Sequence, residues 1–209
     1  MTEPAIEARA AAAGLVLPPG ASSRIAEHAR LVGQAAAALH LTTIADPASF
    51  LERHIGEAFE GAAMLDAGVR GTLLDLGSGN GYPGIPVALA RPSLRPALAE
   101  SSQRKAAFLE SVLASIALDG TVLDRRVQRA DDLESIAPID VLVTRAAEGW
   151  ESVLPRLASS FRVGGIVLIW AGLGANKIVT RASWRRFELV RSHELPGRST
   201  RVFQLQVIK

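Results

Sequence analysis

Cysteine is absent from the 209 residues. No disulfide, thiolate metal ligand or thiol nucleophile is therefore available, and the chain suits a reducing compartment. Histidine is scarce (His28, His40, His54 and His193) and its spacing carries no metal signature of the HExxH kind, so no metal is expected. Aromatic residues make up 5% of the chain, too few for extended stacking along a single nucleic-acid strand. Lysine is nearly missing. Of 23 basic residues only Lys105, Lys177 and Lys209 are lysines. The rest are arginine, the better fork for phosphate, although an alanine- and arginine-rich composition also arises from genomic bias. The net charge of +2 gives only a weak whole-molecule attraction to nucleic acid. Long apolar runs are lacking too: the early run over 10–17 is about half of what a membrane span needs. Glu3 and Glu7 precede it, where an export signal carries basic residues. A cytoplasmic protein without membrane attachment is expected.

What is present is enough apolar residue, 48%, for one large domain or a domain with a small appendage. A chain of this length can bury roughly 70% of its unfolded surface. Residues 1–66 read as helical. Ile25, Val32 and Leu39 recur every seven positions with Ala29, Ala35 and Ala36 beside them, and Ser22 or Ser23 can cap that helix. After a turn over 41–45, Asp46 is placed as an N-cap with Pro47 at the first helical position. Phe50, Leu51, His54, Ile55, Ala58 and Phe59 then form one apolar stripe. A histidine on such a stripe is more often a satisfied, half-buried side chain than a catalytic one.

Residues 67–209 alternate strands and helices. Strands are expected over 72–76, 97–99, 121–127, 139–144 and 165–170, and helices over 86–90, 103–118 and 150–161. The second strand should begin after Pro96, which cannot donate to a ladder. Two further strands over 187–195 and 201–208 flank Pro196-Gly197-Arg198-Ser199-Thr200, a turn. A terminal hairpin puts an antiparallel strand into a mostly parallel sheet. The expected fold is α/β: a Rossmann-like class I methyltransferase sheet, helices on both faces, and an N-terminal helical cap of residues 1–66 over a single unit of residues 67–209.

The strongest local signal is Leu73-Leu74-Asp75-Leu76-Gly77-Ser78-Gly79-Asn80-Gly81-Tyr82-Pro83-Gly84, placed between a strand and a helix, where a ligand-cradling loop belongs. Two readings compete. Gly79-x-Gly81-x-x-Gly84 with Glu100 further on fits a dinucleotide fingerprint. Asp75-x-Gly77-x-Gly79-x-Gly81 fits an S-adenosylmethionine loop. Three details favour the second. Asp75 interrupts the apolar strand, Pro83 removes an amide where a pyrophosphate wants donors, and Asp131-Asp132 follow the third strand, where Asp131 can accept from an adenine amino group. Asp75 could instead cap a turn, and Asp131 a short helix near Leu133.

The block from Leu74 to Leu109, above all Tyr82-Pro83-Gly84-Ile85-Pro86, resembles the RsmG (GidB) family. Leu41-Thr42-Thr43-Ile44, Asp46-Pro47, Arg53-His54, Arg104-Lys105, Phe108-Leu109, Arg129-Ala130-Asp131 and Thr144-Arg145-Ala146 extend the likeness over nearly the whole chain. The resemblance implies an S-adenosyl-L-methionine-dependent enzyme that methylates guanine N7 in 16S ribosomal RNA. It implies cofactor contacts at Gly77, Gly79, Tyr82, Ala130, Asp131 and Arg145, with Glu100 in place of the family's usual Asp at the ribose. Arg104, Lys105 and His54 become candidate RNA contacts, and a monomer acting on the RNA or the small ribosomal subunit is expected. Two departures stand out: His40 replaces an Asn, and Ala171 stands where the family has a lysine, with Lys177 nearby. They leave open a class I methyltransferase of the same fold acting on another RNA or on a small molecule.

Guanine N7 carries a free lone pair and loses no proton on methylation, so no general base is required. Oxygen or carbon methylation would ask for one, and His54 is the first candidate for it. Arg145 after the fourth strand could clamp a cofactor carboxylate or an RNA phosphate, or else pair with Glu148 or Glu151. Arg125-Arg126-Arg129 and Arg181-Arg185-Arg186 are further possible phosphate contacts.

Overall fold

The computed structural model describes residues 1–145, 147, 149–195 and 197–209. Ala146, Glu148 and Pro196 lie outside the described residues, and with them one residue of the Thr144-Arg145-Ala146 motif, one expected partner of Arg145 and the first residue of the hairpin turn.

The chain begins with α1 (Glu3–Ala12) and α2 (Ala21–Leu39), then α3 (Pro47–Phe50), a π-helical stretch Leu51–Gly56, and α4 (Glu57–Ala63). There follow β1 (Gly71–Leu76), α5 (Gly84–Ala90), β2 (Leu94–Glu100), α6 (Gln103–Ser115), β3 (Thr121–Asp124), β4 (Ile139–Thr144), α7 (Trp150–Val153), β5 (Phe161–Gly172), α8 (Ala175–Val179), β6 (Phe187–Glu194) and β7 (Thr200–Val207). The sheet has 7 strands in the order β3-β2-β1-β4-β5-β7-β6. β1 to β5 are parallel, and β7 inserts antiparallel between β5 and β6. The terminal hairpin read from the sequence is thus present. The order reverses at β1 and β4, so a crevice opens at their carboxyl ends.

Strand periodicity sorts the core into two layers. Leu73, Leu98, Val141, Val143, Leu168 and Trp170 face the cluster that includes Ile6, Ile25, Val32, Ile55 and Phe59 from the N-terminal helices. Leu74, Leu142, Val167 and Ile169 face Trp150, Leu154, Trp184 and Phe187. Residues 1–66 therefore share a core with one face of the sheet. Arg9 ties α1 to the following helices through Glu52 at 2.9 Å and Glu60 at 2.7 Å. Gly61 lets α4 lie directly on the Trp170 indole, whose Nε1 donates to the Glu57 carbonyl at 3.0 Å.

Several expectations need correction. Gly20, in a left-handed conformation (φ 76°), caps α2; Ser22 and Ser23 lie inside the helix, and Ser22 Oγ donates to Glu7 at 2.9 Å. Asp46 does cap α3, accepting from the Ser49 amide at 2.7 Å. β2 starts at Leu94 and contains Pro96. β3 joins only from Ala97, so Pro96 lies where β2 has no neighbour on that side and the missing donor is tolerated. β3 ends at Asp124, before the expected 127. The expected helix over 150–161 is one turn, α7, followed by a 3₁₀ stretch Leu154–Ser160, because Pro155 takes a donor from the helix. α6 ends at Ser115, short of 118, with Ala117 already at positive φ. β5 runs longer than expected, Phe161–Gly172, and α8 was not foreseen. No helix among the described residues is long and apolar enough to cross a membrane.

Candidate active site

The glycine loop leaves β1 at the point of strand-order reversal. Most of its amides are consumed inside the protein. Gly77 N and Ser78 N both donate to the Ala99 carbonyl at 3.0 Å, Gly81 N to the Ser78 carbonyl at 2.8 Å, and Tyr82 N to Asn80 Oδ1 at 3.3 Å. Gly79 N donates to Glu100 Oε2 at 2.9 Å and Gly84 N to Asp75 Oδ2 at 3.1 Å. Pro83 has no amide. A phosphate-cradling loop needs such donors turned outward; this loop offers carboxylates instead. That favours the second reading of the glycines over the dinucleotide one.

Two acids stand at the loop. Glu100 ends β2 with Oε2 on the Gly79 amide and Oε1 on the Ser102 amide at 2.8 Å, and each oxygen keeps a lone pair for a donor such as a sugar hydroxyl. Asp75 is buried; burial pushes its carboxyl up from 3.8 to about 7, against the Gly84 amide bond. Its Oδ2 caps α5, while Oδ1 has no partner among the described residues. A Cβ on Gly84 would stand 2.5 Å from that carboxylate, so glycine is needed for the cap. The turn-capping reading of Asp75 therefore holds, and one buried acceptor is left over.

Beside Gly77 lies a cavity of 190 Å³ lined by Leu76, Ala99, Val127, Ala147 and Val153, with Arg125 and Arg126 at its rim. A side chain at residue 77 (φ 74°) would put its Cβ 2.7 Å from the Ala147 methyl. The wall after β3 is residues 125–128. Ala130 and Asp131 follow on a 3₁₀ turn, Ala130–Leu133, with Asp131 exposed. Asp132, rather than Asp131, bonds the backbone there, accepting from Gln128 N at 2.9 Å and Arg129 N at 3.0 Å.

Tyr82 is buried. Its ring stacks on His28 with centroids 4.4 Å apart and lies 5.0 Å from His54 and 5.6 Å from Phe50. His28 Nε2 donates to the Asn80 carbonyl at 2.8 Å, and burial lowers the imidazole pKa to about 4. The N-terminal helices thus grip the loop from one side. The sequence placed Asn80 in the loop but not His28 against it; the 52 residues between them hid the contact.

A second cavity, 470 Å³, opens at the carboxyl ends of β4 and β5, lined by Thr42, Arg53, His54, Glu57, Arg145, Trp170, Ala171 and Arg198 among others. Arg145 Nη1 donates to His54 Nδ1 at 2.9 Å and to the Arg53 carbonyl at 3.3 Å. It is thus held by the N-terminal segment, and the alternative of a pairing with Glu151 is not what these bonds show. His54 is 5% exposed, and burial next to Arg145 lowers its pKa to about 3. Both its nitrogens are engaged, so it is no base. Glu57, its pKa raised by burial, faces Arg53, Arg145 and, at 3.7 Å, Arg198. Ala171 lines this cavity; Lys177 is exposed on α8 and does not, while Arg198 from the β6–β7 turn does. His40 occupies the left-handed C-cap of α2 (φ 50°), a position where Asn and His are both favoured, so its departure from the family has a backbone reason. Arg104 donates to the Ala38 carbonyl at 3.0 Å and stands with Lys105 at the end of α2, away from both cavities. A cavity of 690 Å³ between α2 and residues 42–50 touches no residue of the glycine loop.

A sheet in this order, a glycine loop with inward amides, and an acid at the end of β2 define the class I methyltransferases, whose family and fold imply S-adenosylmethionine. Solved structures agree on the fold. A ribosomal protein L11 methylase from Lactobacillus delbrueckii superposes with TM-score 0.59 at 18% identity, covering 75% of this chain and 79% of the other. The fibrillarin/Nop5p complex gives 0.57 at 15% identity, covering 69% and 75%. The chain belongs to the GidB family, rRNA small subunit methyltransferase G, whose family model matches residues 22–185. A ribosomal RNA small subunit methyltransferase G of Sorangium cellulosum is 33% identical over 183 residues, 84% of this chain and 74% of the relative. One from Alkalilimnicola ehrlichii is 34% identical over 169 residues, 81% and 74%.

Proposed function

We propose that this protein methylates N7 of a guanine in small-subunit ribosomal RNA in the cytoplasm, using S-adenosylmethionine. The observation that carries the reading is the loop chemistry: most amides turned inward, the Glu100 carboxylate beside it and the buried Asp75 carboxyl beneath it. These suit a nucleoside with hydroxyls and a cationic methionine end better than a pyrophosphate. S-adenosylmethionine supplies a methyl group on a sulfonium centre. Glu100 would accept from the sugar hydroxyls, Gly77 and Gly79 keep the loop clear of Cβ atoms, and the segment through Ala130 and Asp131 would flank the base. Asp75, buried beneath the loop with one oxygen unpartnered, would contribute a negative charge there, and Tyr82 holds the loop's shape from its buried side.

The second cavity receives the guanine, and residues 1–66 form the cap over it. N7 brings its own lone pair, so no protein group has to take a proton; accordingly the one histidine there is neutral and fully engaged. The protein's work is alignment, for which proximity supplies ~7–11 kcal/mol. Arg145 lines the second cavity, and its bonds to His54 and Arg53 make it a positioning residue for the RNA base. The carboxylate of Glu57 is the anion available to a ring that becomes cationic. Arg53 and Arg198 at the cavity, and Arg104 and Lys105 outside it, supply charge for the RNA backbone. Purified protein should transfer labelled methyl to small-subunit RNA from cells lacking the gene, with 7-methylguanosine as the product nucleoside. Label confined to small molecules, or a different modified nucleoside, overturns the reading.

A further inference from the structure

In the second cavity three side chains form a chain whose donors and acceptors can be assigned. Arg145 Nη1 lies 2.9 Å from His54 Nδ1. A guanidinium only donates, so Nδ1 is the acceptor. The imidazole is neutral, and its one proton is then on Nε2. Nε2 lies 2.9 Å from Thr42 Oγ1 and donates to it. Thr42 Oγ1 also accepts the Ile44 amide at 3.1 Å. Both lone pairs of this hydroxyl are committed, and what remains is its own proton. Thr42 is part of the cavity wall.

We infer that Thr42 is a specificity-determining residue: a hydroxyl restricted to donating, which reads the carbonyl oxygen beside the reacting nitrogen of a guanine and rejects an adenine. The inference rests on guanine N7 being the methyl acceptor. On the major-groove edge of guanine, O6 neighbours N7 and accepts; on adenine the N6 amino group takes that place and donates. An unconstrained threonine would rotate its hydroxyl to suit either. Arg145, acting through His54, removes that choice, because turning Thr42 into an acceptor would leave a buried imidazole N–H or the Ile44 amide without its partner. Arg145 and His54 are positioning residues for this donor.

The test uses small-subunit RNA assembled with guanosine, inosine or 2-aminopurine riboside at the methylated position. Inosine keeps O6; 2-aminopurine riboside keeps N7 and lacks O6. The wild-type protein should methylate the guanosine and inosine RNAs comparably and the 2-aminopurine RNA with kcat/KM lower by roughly 10–100-fold. Thr42→Val should bring the first two down to the level of the third, and Thr42→Ser should restore the difference, with S-adenosylhomocysteine binding retained in both. A folded Thr42→Val that keeps the discrimination overturns the inference. If Thr42→Val does not fold, the wild-type comparison decides alone: equal rates on inosine and 2-aminopurine RNA overturn it. No methylation of the guanosine RNA by wild-type protein overturns the parent reading, and this one with it.

Discussion

Glu100 and Gly79 are joined across the crevice: the carboxylate at the end of β2 accepts the loop amide at 2.9 Å. The same carboxylate holds Ser102 N at the start of α6. One side chain therefore sets the loop's height and presents the acceptor for the ligand's sugar. Glu100→Ala should weaken S-adenosylhomocysteine binding by roughly 10–100-fold, the worth of one or two charge-assisted hydrogen bonds. Glu100→Gln, which keeps one acceptor oxygen, should lose less. Calorimetry on the two variants checks this, and an unchanged Kd in Glu100→Ala removes Glu100 from the site.

Arg145 makes two bonds from one nitrogen, to His54 Nδ1 and the Arg53 carbonyl. A lysine there presents a point charge on a flexible stem and does not reproduce the planar fork. Arg145→Lys should lower kcat on ribosomal RNA by roughly 10–100-fold, the worth of a hydrogen bond from a charged group. Binding of S-adenosylhomocysteine should persist. Loss of that binding with kcat intact would mean that Arg145 serves the cofactor instead.

Stability should change with pH through three buried groups. His28 and His54 have pKa values depressed from 6.5 to about 4 and about 3, so the stability each contributes is present above 6.5 and is lost as pH falls toward the folded value. Asp75 has the opposite sign: raised from 3.8 to about 7, it contributes stability present below 3.8 and lost as pH rises through about 7. Between those limits unfolding takes up protons at both histidines and releases one at Asp75, so stability rises from pH 4.5 to 6.5. The net slope approaches one proton, ~1.4 kcal/mol per pH unit. Denaturant melts measure it. His28→Asn, which keeps an N–H for the Asn80 carbonyl, should flatten the curve; a slope unaltered in that variant counts against the assignment.

Gly61 is where α4 meets the Trp170 indole. Gly61→Ala forces a methyl into that ring and should destabilise the protein by about 1–3 kcal/mol through overpacking. Thermal melts should register a lower Tm, together with a drop in methyl transfer, since Trp170 also lines the second cavity. An unshifted Tm would show that the two surfaces separate easily.

The sheet was legible wherever a strand is a continuous apolar run. β4 matched its expected bounds because 139–144 is buried throughout or nearly so, and the hairpin was visible from the turn residues between two β-rich segments. Pro155 escaped notice inside an apolar stretch whose helical period looked intact, and β3 proved short because its far end leaves the sheet to wall a cavity. The glycine loop and Glu100 could be read because they are neighbours through one strand and one turn. Thr42, His54 and Arg145 could not be assembled into one chain from sequence, since 91 residues separate the last two and the link is a hydrogen bond. The ring of Tyr82, a residue expected to contact the cofactor, packs among side chains of the first 54 residues, which no local pattern shows.

That packing makes the amino-terminal helices part of the loop's foundation. A fragment starting at residue 67 would strip the Tyr82 ring of both imidazole neighbours and leave the Asn80 carbonyl and side-chain amide without His28 and Leu41. Dissection at the boundary between helices and sheet should therefore leave a sheet whose glycine loop has lost its scaffolding on one side.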